Sequence, residues 1–326
     1  MSDQTPSLPG CQLEYLDPAQ LGVSPSNPVA TELMVACVGL LSQCAVEPGR
    51  CRLIITGDFV ESVRQRLPEG EYRDTYGVDR GTGVVGGKTM QMPDRTLDVL
   101  VADMLFQTGK TPAQQESARN TALHTVFHEG QHVAMMQAGE TDPDLSGLPR
   151  GRQYLETLAD LVIQEYRAER AVALAGLTAG NEWDLAAEVK RWRDALARIA
   201  CVEYQEHLDV LRLWHGVLQE SNIVWKLLAY VAGRIPDGSS TKHTPSKAVR
   251  GDHLWRRMIK PHWRQFIDIL RQVPPGDVPT TQADLAEARR LLADEFGAWL
   301  LTLGFEAVDG DDGFAFYVRD WGLLAG

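Results

Sequence analysis

The chain is short of positive charge. Its 326 residues carry 32 lysines and arginines against 44 aspartates and glutamates, for a net charge of −12. Nucleic acid and anionic lipid both attract proteins through a positive field, so neither is an expected partner. Long apolar runs are missing too: no stretch approaches the roughly eighteen uninterrupted apolar residues of a membrane-spanning helix. The opening MSDQTPSLPGCQLEYLDPAQ has no basic start followed by an apolar core, and a cytoplasmic location is the expectation. Cysteine is scarce. Cys11, Cys37, Cys44, Cys51 and Cys201 form an odd set without a Cys-x-x-Cys pair, which argues against a disulfide framework and a cysteine zinc knuckle and leaves buried free thiols as the expected state. The glycine-rich GTGVVGG at 81–87 lacks the Gly-Lys-Ser/Thr ending of a phosphate loop, and no helix follows it.

What is present is an ordinary globular composition, 44% apolar and 23% charged, in a chain long enough for one large or two moderate domains. Residues 1–28, rich in proline, serine and aspartate, read as an irregular lead-in. VATELMVACVGLLSQCAV spaces its apolar residues as a helix does, and EPGR stops it. CRLIIT reads as a buried strand and DFVESVRQRL as a short amphipathic helix with Asp58 at its start. YGVDRGTGVVGGKTMQM has too many glycines for a helix and alternates like a hairpin or loose edge strand. RTLDVLVADMLF is a further strand, and Pro112 stands near the start of the next helix. From residue 152 the pattern is almost wholly helical, interrupted by a loop at 235–252 and ending in a strand or hairpin at AVDGDDGFAFYVRD. The expected fold class is α+β, a small N-terminal sheet followed by a mostly helical C-terminal half, with domains at 29–180 and 181–326.

The chemistry is concentrated in ALHTVFHEGQHVAMMQ, residues 122–137. His128 and His132, four apart on a helix, project from one face a turn apart, where two imidazoles can share one tetrahedral metal. Glu129 lies about 100° round the helix from His128, within reach of metal-activated water without being a ligand, as a general base must be. A catalytic zinc site needs a third protein ligand. LADLVIQEYRAERAVALAG supplies candidates: Leu158, Leu161, Val162, Ala168 and Val172 define an apolar face on which Glu165 and Glu169 also fall. Acids there are costly unless paired or coordinated. His124 completes the i, i+4, i+8 row but stands too far along to join both other histidines on one ion. Gly130 costs the helix roughly 1 kcal/mol against alanine, a penalty that a close backbone contact would explain.

His128-Glu129-x-x-His132 with the downstream Glu165-Tyr166-Arg167-Ala168-Glu169 resembles the zincin metallopeptidases of the gluzincin branch, where a His-Glu-x-x-His helix precedes a helix bearing a glutamate ligand. The Glu-x-x-Ala-Asp/Glu pattern is similar to that of HtpX-like and ImmA/IrrE-type peptidases. The resemblance covers about residues 50–175. It implies a zincin-like catalytic domain at 29–180 in which Glu165 is the third ligand of a Zn²⁺ ion and Glu169 orients a ligand histidine. It further implies a peptide or protein substrate, hydrolysed with Glu129 as base. His124 and Tyr166 stand beside the motif as residues for contact with the site or substrate; the donor to a tetrahedral oxyanion stays open among Tyr166, Tyr154 and Arg167 near the ligand helix and the more distant His207, His215, His243, His253 and His262. Many such peptidases carry glycine just before the second histidine; here Gly130 and Gln131 stand in the reverse order.

Two histidines and a carboxylate with open positions also suit non-haem Fe²⁺. An iron-dependent oxygenase therefore stays open, as does a regulatory or binding protein that retains a metal site. GVVGGKTM, at 83–90, is a candidate edge strand for binding an extended peptide. The basic segment 242–264, with Lys242, Lys247, Arg250, Arg256, Arg257, Lys260 and Arg264 interleaved with Trp255 and Trp263, is a candidate surface for an acidic partner.

Overall fold

A computed structural model describes residues 8–17, 28–80, 83–84, 86–106, 111–179, 183–236, 249, 251–310 and 313–322. The fold is α+β, in two compact units: residues 1–138 with 171–182, and residues 139–170 with 183–326.

In the first unit, strands β1 (Gly10–Glu14), β2 (Cys51–Thr56), β5 (Gly87–Gln91) and β6 (Leu97–Ala102) form a sheet in the order β1-β2-β6-β5. β1, β2 and β6 run parallel, and β5 closes the edge antiparallel to β6, with Gly87 opposite Val101 and Gln91 opposite Leu97. Parallel strands are buried on both faces, which is why CRLIIT and LDVLVA read as nearly unbroken apolar runs. Leu53, Ile55, Leu97, Val99 and Val101 share one core with helices α1 (Pro28–Cys44) and α4 (Pro112–Gln137). On the opposite face Ile54, Leu100 and Ala102 pack with Phe59 and Val63 of α2 (Phe59–Arg64), whose first turn is capped by Asp58 accepting from Glu61 N. Asp98 is fully buried on that second face, where Arg66 Nε and Arg52 Nε each lie 2.7 Å from one of its oxygens. A buried carboxylate left alone there would cost several kcal/mol.

β1 lies where irregular chain is expected. The alternation in GCQLE is too short for a two-residue period to register beside its flanking prolines, and tertiary pairing decides it: Gly57 N donates to Glu14 O, and Arg66 binds the Glu14 carboxylate. After the short helix α3 (Glu71–Thr75), in the glycine-rich stretch, β3 (Asp79–Arg80) and β4 (Gly83–Val84) make a short antiparallel ladder. Of the five free cysteines, Cys37 and Cys51 are buried, and burial pushes their thiols up to about 12 and about 11. Cys11 and Cys201 are exposed instead of buried.

The second unit holds α5 (Arg150–Leu174) up to Arg170, then α6 (Leu185–Arg198), α7 (Tyr204–His207), α8 (Val210–Gly233), α9 (Lys260–Leu270), α10 (Gln282–Thr302) and a closing hairpin of β7 (Phe305–Gly310) and β8 (Gly313–Val318). Its core is built on tryptophan: Trp192, Trp214, Trp225, Trp255 and Trp299 are fully buried, and Trp225 stacks on Phe296 with ring centroids 3.8 Å apart. Trp255 and Trp263 therefore belong to the core, although Arg256, Arg257, Lys260 and Arg264 between and beside them are exposed. Lys242, Lys247 and Arg250, with most of the 235–252 loop, lie outside the described residues.

The stretch EWDLAAEVKRWRDALARIACVEYQEHLDVLRLWHGVLQ reads as one helix, but the structure interrupts it. A π-helical turn occupies Ile199–Glu203, and Leu208 ends α7 with a left-handed φ of 52°. Asp209 then caps α8 by accepting from Leu211 N and Arg212 N. Short aspartate side chains compete with helix continuation in this way. Among the described residues, no helix is long and apolar enough to cross a membrane.

Candidate metal centre

Helix α4 is fixed at its start by a capping box between Thr111 and Gln114, with Pro112 in the first turn. Its phase places His128, Glu129, Gly130, Gln131 and His132 on buried positions. The His128 and His132 rings meet edge to face with centroids 5.1 Å apart, while His124 lies parallel to His128 at 6.3 Å.

Gly130 has a local reason. A Cβ there would stand 2.9 Å from Cys44 Sγ and 3.0 Å from Cys44 Cβ, and Gln131 Nε2 donates to the same sulfur at 3.3 Å. The glycine lets the end of α1 approach the motif. Gly130→Ala should gain about 1 kcal/mol of helix propensity and lose about 1–3 kcal/mol to overpacking. The expected result in urea denaturation is a net loss of up to about 2 kcal/mol, partly returned by adding Cys44→Ala; a variant more stable than the parent would show that the approach is not tight.

Glu129 is aimed at the edge of the sheet. The Thr89 hydroxyl on β5 lies 2.9 Å from Glu129 Oε2 and 3.0 Å from its backbone oxygen, to either of which it donates. At Gly87 a Cβ would come within 3.0 Å of Glu129 Oε1 and 2.6 Å of Thr125 Cγ2, so the strand backbone itself lies against the carboxylate. Among the described residues β5 has no strand on its outer side.

On α5, Glu165 and Glu169 are one turn apart, and α8 meets them with a stripe at the same spacing. Lys226 Nζ donates to Glu165 Oε1 at 2.9 Å, Tyr230 OH to Glu165 Oε2 at 3.0 Å, and Arg234 Nε to Glu169 Oε1 at 2.5 Å. Trp183 stacks on Tyr230 at 5.7 Å and lies 4.1 Å under the Arg234 guanidinium. Gly233 permits the approach, since a Cβ there would be 3.2 Å from Glu169 Cβ and 3.1 Å from Arg170 N. Arg170 then bonds the Gly233 and Ile235 carbonyls, capping the end of α8. Sequence reasoning missed this stripe. The available signal was two cations and a tyrosine at i, i+4 and i+8 in the otherwise apolar WKLLAYVAGR.

Among the described residues, one ligand atom each of His128, His132 and Glu165 lie within 4.8 Å of one another, and so do those of His124, His128 and Glu169. Nitrogen and carboxylate oxygen donors of this kind fit a borderline divalent ion such as Zn²⁺ or Fe²⁺. α5 continues past Arg170 to Leu174, and beyond its end Ala179 donates its backbone N–H to His124 Nδ1 at 3.1 Å. A backbone N–H only donates, so Nδ1 is the acceptor and the proton of the neutral ring sits on Nε2. Each set thus carries protein partners at its donors: Ala179 N–H at His124 Nδ1 and Arg234 at Glu169 in one, Lys226 and Tyr230 at Glu165 in the other.

The residues named from sequence are thus placed as follows. His128, His132 and Glu165 come together, Glu129 adjoins them on α4, and His124 and Glu169 accompany His128. Tyr166 is buried in the helical core. Of the other oxyanion-donor candidates, Tyr154 bonds His215 at 3.1 Å, and the fully buried Arg167 pairs with Glu140 at 2.7 Å. No protein-family model, no curated protein and no solved structure matches the chain.

Proposed function

We propose that the chain is a zinc-dependent hydrolase, a metallopeptidase that cleaves a peptide bond in a peptide or protein substrate. The observation that carries this reading is the convergence of ligand atoms from His128, His132 and Glu165. A Zn²⁺ ion held by these three would supply Lewis acidity toward the scissile carbonyl and the attacking water. Glu129 is the base: its carboxylate, held by Thr89, takes a proton from the attacking water as the new C–O bond forms and returns it to the leaving amine nitrogen as the C–N bond breaks. Among the described residues the outer edge of β5 carries no strand, and in this reading it supports an extended substrate backbone beside that carboxylate, through main-chain hydrogen bonds of the strand-addition kind. Gly87, where a Cβ would meet Thr125 and Glu129, keeps the strand backbone close to that carboxylate.

An oxygenase would use the same donors with Fe²⁺, but it has no need of a carboxylate positioned against an edge strand. Metal analysis of protein purified without oxygen, digestion of a degenerate peptide mixture followed by mass spectrometry, and oxygen uptake with 2-oxoglutarate separate the two. The expected result is zinc and new peptide termini. Iron with oxygen uptake and intact peptides would replace the hydrolase by an oxygenase; a metal that supports neither reaction would leave a binding protein with a retained site.

A further inference from the structure

We propose that Lys226 is a built-in competitor for the metal, a cation that holds Glu165 in place in the absence of an ion and weakens the grip on one that binds, so that the site exchanges its metal. The inference rests on Glu165 being a ligand.

Both oxygens of Glu165 are engaged from α8, Oε1 by the Lys226 ammonium and Oε2 by the Tyr230 hydroxyl. The Glu165 side chain is only 12% exposed and that of Lys226 27%. A carboxylate so placed needs a counter-charge to stay ionised, and Lys226 supplies it. A divalent ion arriving at the same carboxylate meets that ammonium at close range in poorly solvated surroundings, where like charges repel strongly. Tyr230 is neutral and brings no such penalty.

The neighbouring pair shows why Glu165 is the acid available to the metal. Arg234 is fixed on Glu169 by its stack against Trp183, and a guanidinium keeps its charge. Lys226 is a compact charge on a flexible four-carbon stem, partly open to solvent, and can swing away from Glu165 when an ion takes the carboxylate. Glu169 stays neutralised, while Glu165 is released on demand.

The test is zinc affinity and release in the full chain, by competition with a chromophoric chelator, with circular dichroism as the check of folding. Lys226→Gln keeps a hydrogen-bond donor and removes the charge. It should tighten zinc binding by at least about tenfold and slow transfer to excess chelator, whereas Lys226→Arg, which keeps the charge, stays within about threefold of the parent. Lys226→Met decides the matter if Lys226→Gln does not fold. A folded neutral variant that binds zinc no more tightly than the parent overturns the proposal. If the parent's zinc binding is indifferent to His132→Ala and Glu165→Ala, the metal site itself is misassigned, a separate failure.

Discussion

Glu129→Gln should lower peptide turnover by about 10²- to 10⁴-fold, the range that a positioned acid–base group contributes, and leave the zinc content unchanged. The substitution is nearly isosteric, and the amide oxygen can still accept from the Thr89 hydroxyl, 2.9 Å from Glu129 Oε2 in the parent. Packing against Gly87 and Thr125 is therefore retained. What the amide cannot do is take a proton from water and return it to an amine. If Glu129 is the base and not a ligand, as proposed, metal content and turnover separate in this variant. If the variant hydrolysed its substrate as fast as the parent, Glu129 would not be the base.

The second large effect distinguishes the two donor sets. His132→Ala and Glu165→Ala should each cost more zinc affinity than the 10–100-fold that loss of an outer partner typically costs, while His124→Ala stays below that range. A ligand that binds only the folded chain at a hundred times its dissociation constant stabilises it by about 2.7 kcal/mol. Zinc should accordingly raise the melting temperature of the parent and of His124→Ala, and leave those of His132→Ala and Glu165→Ala unmoved. The reverse pattern, zinc lost with His124 and kept without His132, would mean that the Ala179–His124 bond gives way to coordination and that Glu169 is the ligand.

Much of this was legible from spacing alone. His-Glu-x-x-His fixed the face of α4 because helical phase is a property of sequence separation, and the continuous apolar runs of β2 and β6 gave the central strands for the same reason. The remainder depends on contacts distant in sequence. Nothing local marks Gly10–Glu14 as a strand until β2 is beside it, and the reason for Gly130 is a cysteine on another helix. The break before α8 had a signal in Asp209, outweighed by the helical periodicity on either side. The partners of Glu165 and Glu169 were hidden because Lys226, Tyr230 and Arg234 carry no motif, only a stripe that acquires meaning once Gly233 brings α8 against α5. The bond from the Ala179 amide to His124 Nδ1 was hidden for the same reason, since its two residues lie far apart in sequence.

The measurement that tests the central claim most directly is a crystal structure of the zinc-loaded chain with an anomalous difference map at the zinc edge. The account predicts one peak, with His128, His132 and Glu165 coordinating at about 2.0–2.2 Å, an open position beside Glu129, and His124 still bonded to the Ala179 amide. A peak held by His124 and Glu169, or one closed by a fourth protein ligand, would contradict it.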